Sequence, residues 1–261
     1  MTYRTFSYKD AHYRFFASRP DLVTAEIVRL REALESYISR HPLFASSLEP
    51  VPVLPDAPPV ARAMHAAAQL AGVGPMAAVA GAIAEAAVRA ALRPAPGAGI
   101  PSPDPADPDP AARDGVVVEN GGDIFLWTPR ETVVGLFAGK SSVSGRIGFA
   151  VPAGRMPLAV CSSSGTMGHS LSFGRADLAT AVASDGALAD AAATLAGNLV
   201  RNAEDIPDAL ERVCRIPGVH GVLIVVGEKV GLEGDLPPLV RIRDEGFVAK
   251  ITRDERSGFR F

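Results

Sequence analysis

Between Cys161 and Asn198 the chain gathers most of the side chains that could do chemistry. The stretch opens CSSSGTMGHS, with four serines, one threonine and two glycines between Ser162 and Ser170, and His169 among them. Such a run cannot build a core, but it can turn tightly, aim backbone N–H groups at a ligand and offer hydroxyls. Ser163, Ser164, Gly165, Thr166 and Gly168 are its candidate ligand-binding positions. His169 reads as an acid/base or ligand-binding group, with a hydrogen-bonded loop histidine as the alternative. Further on, Asp190 and Thr194 stand four residues apart in an Ala-walled segment, so they share one helical face. A carboxylate above a hydroxyl suits a hard cation or a phosphate–cation pair. The competing reading has Asp190 capping a loop or accepting from nearby backbone, because a lone buried carboxylate costs desolvation. Cys161 closes an apolar run just before the polar loop. It reads either as an inert buried thiol or as a thiolate of lowered pKa, helped by N–H dipoles and His169. No Gly-x-Ser-x-Gly elbow, HExxH, Walker loop or CxxC occurs.

The elements that must carry these residues follow from pattern. Leu178 to Ala183 reads as a strand, and Ser184 and Asp185 offer N-caps to a helix from about Ala187 to Leu199. Residues 3–8 and 11–16 alternate as a hairpin turned at Lys9-Asp10. Asp21 to His41 is an amphipathic helix with Thr24 as its N-cap and Pro42 as its end. A proline-rich connector, Leu48 to Pro59, leads to a helix over Val60 to Leu70 that stops at Gly72. A third helix begins at Gly74-Pro75, and its glycine and alanines allow close packing or close approach of a ligand. Strands are predicted over Gly115–Glu119, Ile124–Thr128, Thr132–Ala138, Gly145–Val151 and Pro157–Cys161. Asn120-Gly121-Gly122-Asp123 is a tight hairpin turn between the first two. A helix over Ile206 to Cys214 and strands at Gly221–Val226 and Leu239–Arg243 complete the reading.

Three stretches carry a resemblance. ALADAAAT (Ala187 to Thr194), VENGGDIFL (Val118 to Leu126) and GPMAAVAGAIAEA (Gly74 to Ala86) stand in the order of the motifs of the ApbE superfamily, known for FAD:protein FMN transferases. With RHPLFASSLEP (Arg40 to Pro50) and SSGTMGHSLSFG, the chain resembles an uncharacterised ApbE-like branch over nearly its whole length. The resemblance implies an α+β fold, mostly antiparallel sheets packed against helices in an ApbE-like, T-fold-related layout. It implies that Asp190 and Thr194 ligate a magnesium ion, completed by a backbone carbonyl near Ala77. It also implies that Asn120, Gly121, Gly122 and Asp123 face a flavin nucleotide, so FAD or FMN with Mg²⁺ is the expected cofactor set. The family lysine and aspartate are replaced here by Ala78 and Ile83. That replacement leaves open a protein that transfers no flavin and serves sulfur metabolism on the same scaffold, toward homocysteine, where Cys161 could carry a persulfide.

Length and composition frame these expectations. The 261 residues are 48% hydrophobic and 21% charged, with a net charge of −3. That is the balance of a soluble globular protein and favours neither nucleic acid nor an anionic membrane. Two distant cysteines and an N-terminus without an apolar core point to a reducing, cytoplasmic setting. Glu85 and Arg89 interrupt the Ala-rich run from Met76 to Leu92, which therefore reads as a buried helix rather than a membrane span. A single domain over 1–261 with a flexible Pro/Asp-rich loop at 94–114 is expected. The expected partner is a small-molecule or nucleotide ligand, with a homodimer left open.

Overall fold

The computed structural model describes residues 2–93, 114–165 and 174–242. The expected loop at 94–114 lies, apart from Asp114, outside the described residues. The N-terminal hairpin pairs β1 (Arg4–Tyr8) with β2 (Ala11–Phe16), and Lys9 takes the turn with φ 55°. Helix α1 (Pro20–Arg40) starts before the expected position because Pro20, with its preset φ, occupies the first turn. Thr24 is therefore not its cap, and its hydroxyl donates back to the Pro20 and Asp21 carbonyls. Pro42 ends α1 and at once begins a short α2 (Pro42–Ser46), which plants Phe44 in the core. Helix α3 (Pro59–Ala71) stops at Gly72 in the left-handed region, as expected. The third predicted helix divides into a 3₁₀ turn, Pro75–Ala78, and α4 (Val79–Ala91).

The predicted strands follow: β3 (Val116–Asn120), β4 (Asp123–Trp127), β5 (Thr132–Leu136), β6 (Ile147–Val151), β7 (Leu158–Ser163) and β8 (Leu178–Ala183). Then come α5 (Gly186–Leu199), α6 (Ile206–Cys214), β9 (Val219–Val226), β10 (Lys229–Gly234) and β11 (Leu239–Arg241). One eight-stranded antiparallel sheet runs β1-β2-β3-β4-β7-β8-β9-β10, and a second of three strands runs β11-β6-β5. The large sheet is thus built from two runs of two strands, helices and two strands, separated in the chain by β5 and β6 and joined where β4 pairs with β7.

On the central strands β7 and β8, side-chain size sorts the two faces of the large sheet. Leu158, Val160, Leu178, Val182, Leu223 and Val225 pack toward the small sheet with Val134, Leu136 and Phe149. Ala159, Cys161, Ala179, Ala181 and Ala183 alternate with them and face the helices. Burying each large aliphatic or aromatic side chain contributes about 1.5–3 kcal/mol, and on these two strands that contribution comes from the small-sheet face. The alanine face instead lets α5 lie close on β7 and β8, while α4 packs on β3 and β4. The Ala-rich run is accordingly a core helix. No single helix among the described residues is long and apolar enough to cross a membrane.

Candidate functional site

Helices α4 and α5 meet glycine on glycine. A Cβ on Gly81 would stand 2.0 Å from the Gly186 carbonyl oxygen, and one on Gly186 2.4 Å from the Gly81 oxygen. At that crossing each helix hands a carboxylate to the other. Asp190 Oδ2, from α5, accepts from the Gly81 N–H at 2.9 Å. Glu85 Oε2, from α4, accepts from the Gly186 N–H at 2.6 Å. The first N–H groups of a helix lack partners within it and favour negative charge, so each carboxylate serves the opposite helix start. Asp185 caps α5 as predicted, accepting from Leu188 N at 2.8 Å.

The β3–β4 turn brings a second acid to this place. Gly121 (φ 65°) and Gly122 (φ 113°) both take positive φ, as a two-residue hairpin turn of this hand requires. Asn120 and Asp123 flank them as a cross-strand pair. Both side chains point inward: Asp123 Oδ1 accepts from Ser162 N at 3.1 Å, and Asn120 Nδ2 donates to the Ala80 carbonyl at 3.5 Å. Asp123 and Asp190 are each 8% exposed. Burial raises the Asp123 pKa to about 7. Burial, then the Asp123 charge, also raises that of Asp190, while the Gly81 and Ala80 N–H groups oppose the shift. No lysine or arginine among the described residues pairs with either acid.

Of the sequence candidates, the structure brings Asn120, Asp123, Cys161 and Asp190 into one cluster. Thr194 follows Asp190 on α5 and is half-buried, as are Ala77, Ser163 and Ser164, while Gly121 and Gly165 are exposed. Thr166, Gly168 and His169 lie outside the described residues. The reactive reading of Cys161 is corrected. Strand β7 runs on to Ser163, so Cys161 sits inside it with its thiol fully buried, donating to the Gly186 carbonyl at 3.7 Å. Burial first, then the neighbouring Asp123 and Asp190 charges, push the thiol's pKa well up. A thiolate is disfavoured there. The other histidines hold structural hydrogen bonds, His41 to the Pro52 carbonyl and His65 to the Val51 carbonyl among them.

The close packing expected at Gly81 is present, whereas Glu85 and Gly186 were missed, although a signal was there. GAIAEAAVR (Gly81 to Arg89) and GALADAAAT (Gly186 to Thr194) align residue for residue: a glycine, an acid four residues on, and a polar residue four further. The acids end differently. Glu85 Oε1 accepts from Arg89 Nε at 2.6 Å, and the Arg89 guanidinium lies 5.6 Å from the centre of the Phe125 ring. Asp190 has Thr194 in the position of that arginine. Among the described residues no three His, Cys, Asp or Glu side chains are placed to hold a metal ion together, so a cation here would rest on few protein ligands. Magnesium, which keeps several waters and takes ligand phosphates, accepts such a site. Two surface grooves, one lined by Ser142, Arg146 and Leu239 and the other by Phe6, Thr24 and Glu32, share no residue with the cluster.

This architecture is that of the ApbE flavin transferases. The chain is similar in fold to a mutant of the flavin transferase ApbE from Vibrio cholerae, with a TM-score of 0.51 at 12% identity, covering 90% of this chain and 97% of that one. Residues 16–230 match the family described as AbpE bacteria, and the chain belongs to that family. It is 39% identical over 220 residues to a UPF0280 protein of Methanocaldococcus jannaschii, covering 82% of each. It is 42% identical over 229 residues to one of Methanocella arvoryzae, covering 88% of this chain and 85% of the relative.

Proposed function

We propose that the chain binds a flavin nucleotide, or another phosphorylated ligand, together with a divalent cation at the α4–α5 crossing. Asp190 and Thr194 are the side-chain ligands for the cation, and the Asn120–Asp123 corner faces the nucleotide. A bound magnesium ion would neutralise the charge of a pyrophosphate. The residues of the chain do the rest. Asp190 is held by the Gly81 N–H, Asp123 by the Ser162 N–H, and the alanine walls keep bulk water from both. The hydroxyl run after Cys161 and His169 is assigned to the phosphate groups and to proton movement.

One observation carries this reading. Two buried carboxylates share a site with no basic side chain among the described residues, while the twin acid Glu85 has Arg89. Like charges in a low dielectric repel and hold protons, and a divalent cation relieves both costs. The test is thermal unfolding with FAD and MgCl₂. The wild type should gain several degrees, and Asp190→Ala should show no gain. The same substitution should cost the ligand-free protein about 1–2 kcal/mol, because it also uncaps α4. A wild type whose melting temperature ignores FAD and magnesium would remove the proposal.

Binding without transfer is the second reading, and a specific feature favours it. Ala78 and Ile83, the positions where the family carries lysine and aspartate, are fully buried in the apolar core. No titratable side chain therefore stands at either point to assist a leaving group. Incubation with FAD, magnesium and a threonine-containing acceptor protein, followed by mass spectrometry, separates the two. A covalent FMN adduct supports transfer, and its absence beside measurable binding supports a carrier. The sulfur reading loses its candidate carrier, since the Cys161 thiol is out of reach of solvent.

A further inference from the structure

We infer that Glu85 is a positioning residue for the Asp190 carboxylate, acting through the start of α5; as a statement about ligand binding this rests on the reading above. Glu85 does not reach the Asp123–Asp190 cluster. Its Oε2 holds the Gly186 N–H at 2.6 Å, and its Oε1 is fixed by Arg89, which is itself seated against Phe125. One carboxylate oxygen thus holds the start of α5, and the other is tied through Arg89 to α4 and to Phe125 of β4, the strand that begins with Asp123. Gly186 is the first residue of α5, and Asp190 lies one turn further on the same helix. Moving Gly186 along or away from α4 therefore moves Asp190 relative to the Gly81 N–H and to Asp123.

The glycine contact offers no substitute restraint. It excludes a closer approach, since the two backbones already touch, but nothing in it prevents the helices from parting. The two carboxylate-to-glycine bonds are what close the crossing from both sides. Removing the Glu85 bond leaves Asp190 attached to a helix start whose first N–H has lost its partner. Two Asp190–cation geometries that differ by a fraction of an ångström are not equivalent for a hard ion with fixed ligand distances. Glu85 thus acts on the cation site without touching it.

The test reads the crossing directly, by amide hydrogen exchange of the full chain without ligand. In Glu85→Ala the Gly81 amide should exchange about tenfold faster, while Ala87 and Val88, further along α4, change less than about twofold. Glu85→Gln keeps an acceptor for Gly186 and should return Gly81 to within about threefold of wild type. If Glu85→Ala does not fold, Glu85→Asp, one methylene too short to reach Gly186, serves in its place. Where the wild type binds FAD with magnesium, Glu85→Ala should weaken that binding about tenfold and Glu85→Gln about twofold or less. A Gly81 amide that is unchanged, or that accelerates only in step with the rest of α4, would overturn the inference. A wild type that binds nothing would end the functional reading but leave the exchange result to decide this one.

Discussion

The two helix starts that cross at Gly81 and Gly186 are built alike and finished differently. In both, a glycine admits the other backbone and an acid four residues on accepts the other glycine's N–H. On α4 the series continues to Arg89, and Glu85 is neutralised within its own helix. On α5 it continues to Thr194, and Asp190 faces another acid instead. The backbone arrangement alone is therefore structural, since the α4 copy is complete without any ligand. What distinguishes the α5 copy is one missing guanidinium, and the place of that positive charge is where a cation would be taken up.

The comparison can be broken most violently at the glycines. Gly81→Ala puts a methyl 2.0 Å from the Gly186 oxygen. The helices must part, at a cost of about 3 kcal/mol measured by urea unfolding. A cost below about 1 kcal/mol would mean the crossing yields more easily than its contacts suggest. Thr194→Arg would make the α5 copy resemble the α4 copy. It should weaken magnesium–FAD binding about tenfold or more in calorimetric titration, with the folded state retained. Undiminished binding would show that the missing guanidinium is irrelevant.

A pH series sharpens the same contrast on a smaller scale. Asp123, raised from 3.8 to about 7, binds more protons folded than unfolded. Its contribution to stability is thus fully present below about pH 4 and is lost as pH rises through about 7. Asp123→Asn imitates the protonated form and can keep the bond from Ser162. It should be more stable than wild type at pH 8, and that advantage should disappear by pH 4, in paired urea titrations. An advantage that grows toward acid pH would reverse the sign and refute the burial account. The smallest effect concerns the thiols. Brief alkylation should modify Cys214, half-buried with its thiol on the Glu233 carbonyl, before the enclosed Cys161. Labelling of Cys161 first would restore the reactive reading given up above.

Much of this fold was legible because its signals are local. Asn120 to Asp123 announces its turn by composition, and Ile206 to Cys214 is the helix its apolar spacing predicts. The mistaken cap at Thr24 and the short helix not foreseen after Pro42 share a cause. Proline at the first turn of a helix overrides the choice of cap, and a proline that ends one helix can open the next. Of the two readings of Cys161 the buried thiol holds, and the reactive one leaned on its neighbours in sequence. The polar loop follows it, but period-two alternation places it with Ala159 on the helix face. Asp190 was read as a carboxylate that needs a partner, and the structure gives it two neighbours that 161–198 could not reveal. The Gly81 N–H comes from 109 residues away, and Asp123 comes from the β3–β4 turn. The family lineage was carried by long motifs. The geometric twinning of GAIAE and GALAD was not read, because the two glycines become a pair only when the helices cross.

The raised acids have a consequence for calorimetry. A carboxyl that keeps its proton near neutrality must release it when a divalent ion takes the same oxygens. Uptake of magnesium by Asp190, with Asp123 beside it, would then acidify an unbuffered solution, and the heat measured would include the heat of the buffer that absorbs the proton. The apparent binding enthalpy would differ between phosphate and Tris, and that difference would count the protons displaced.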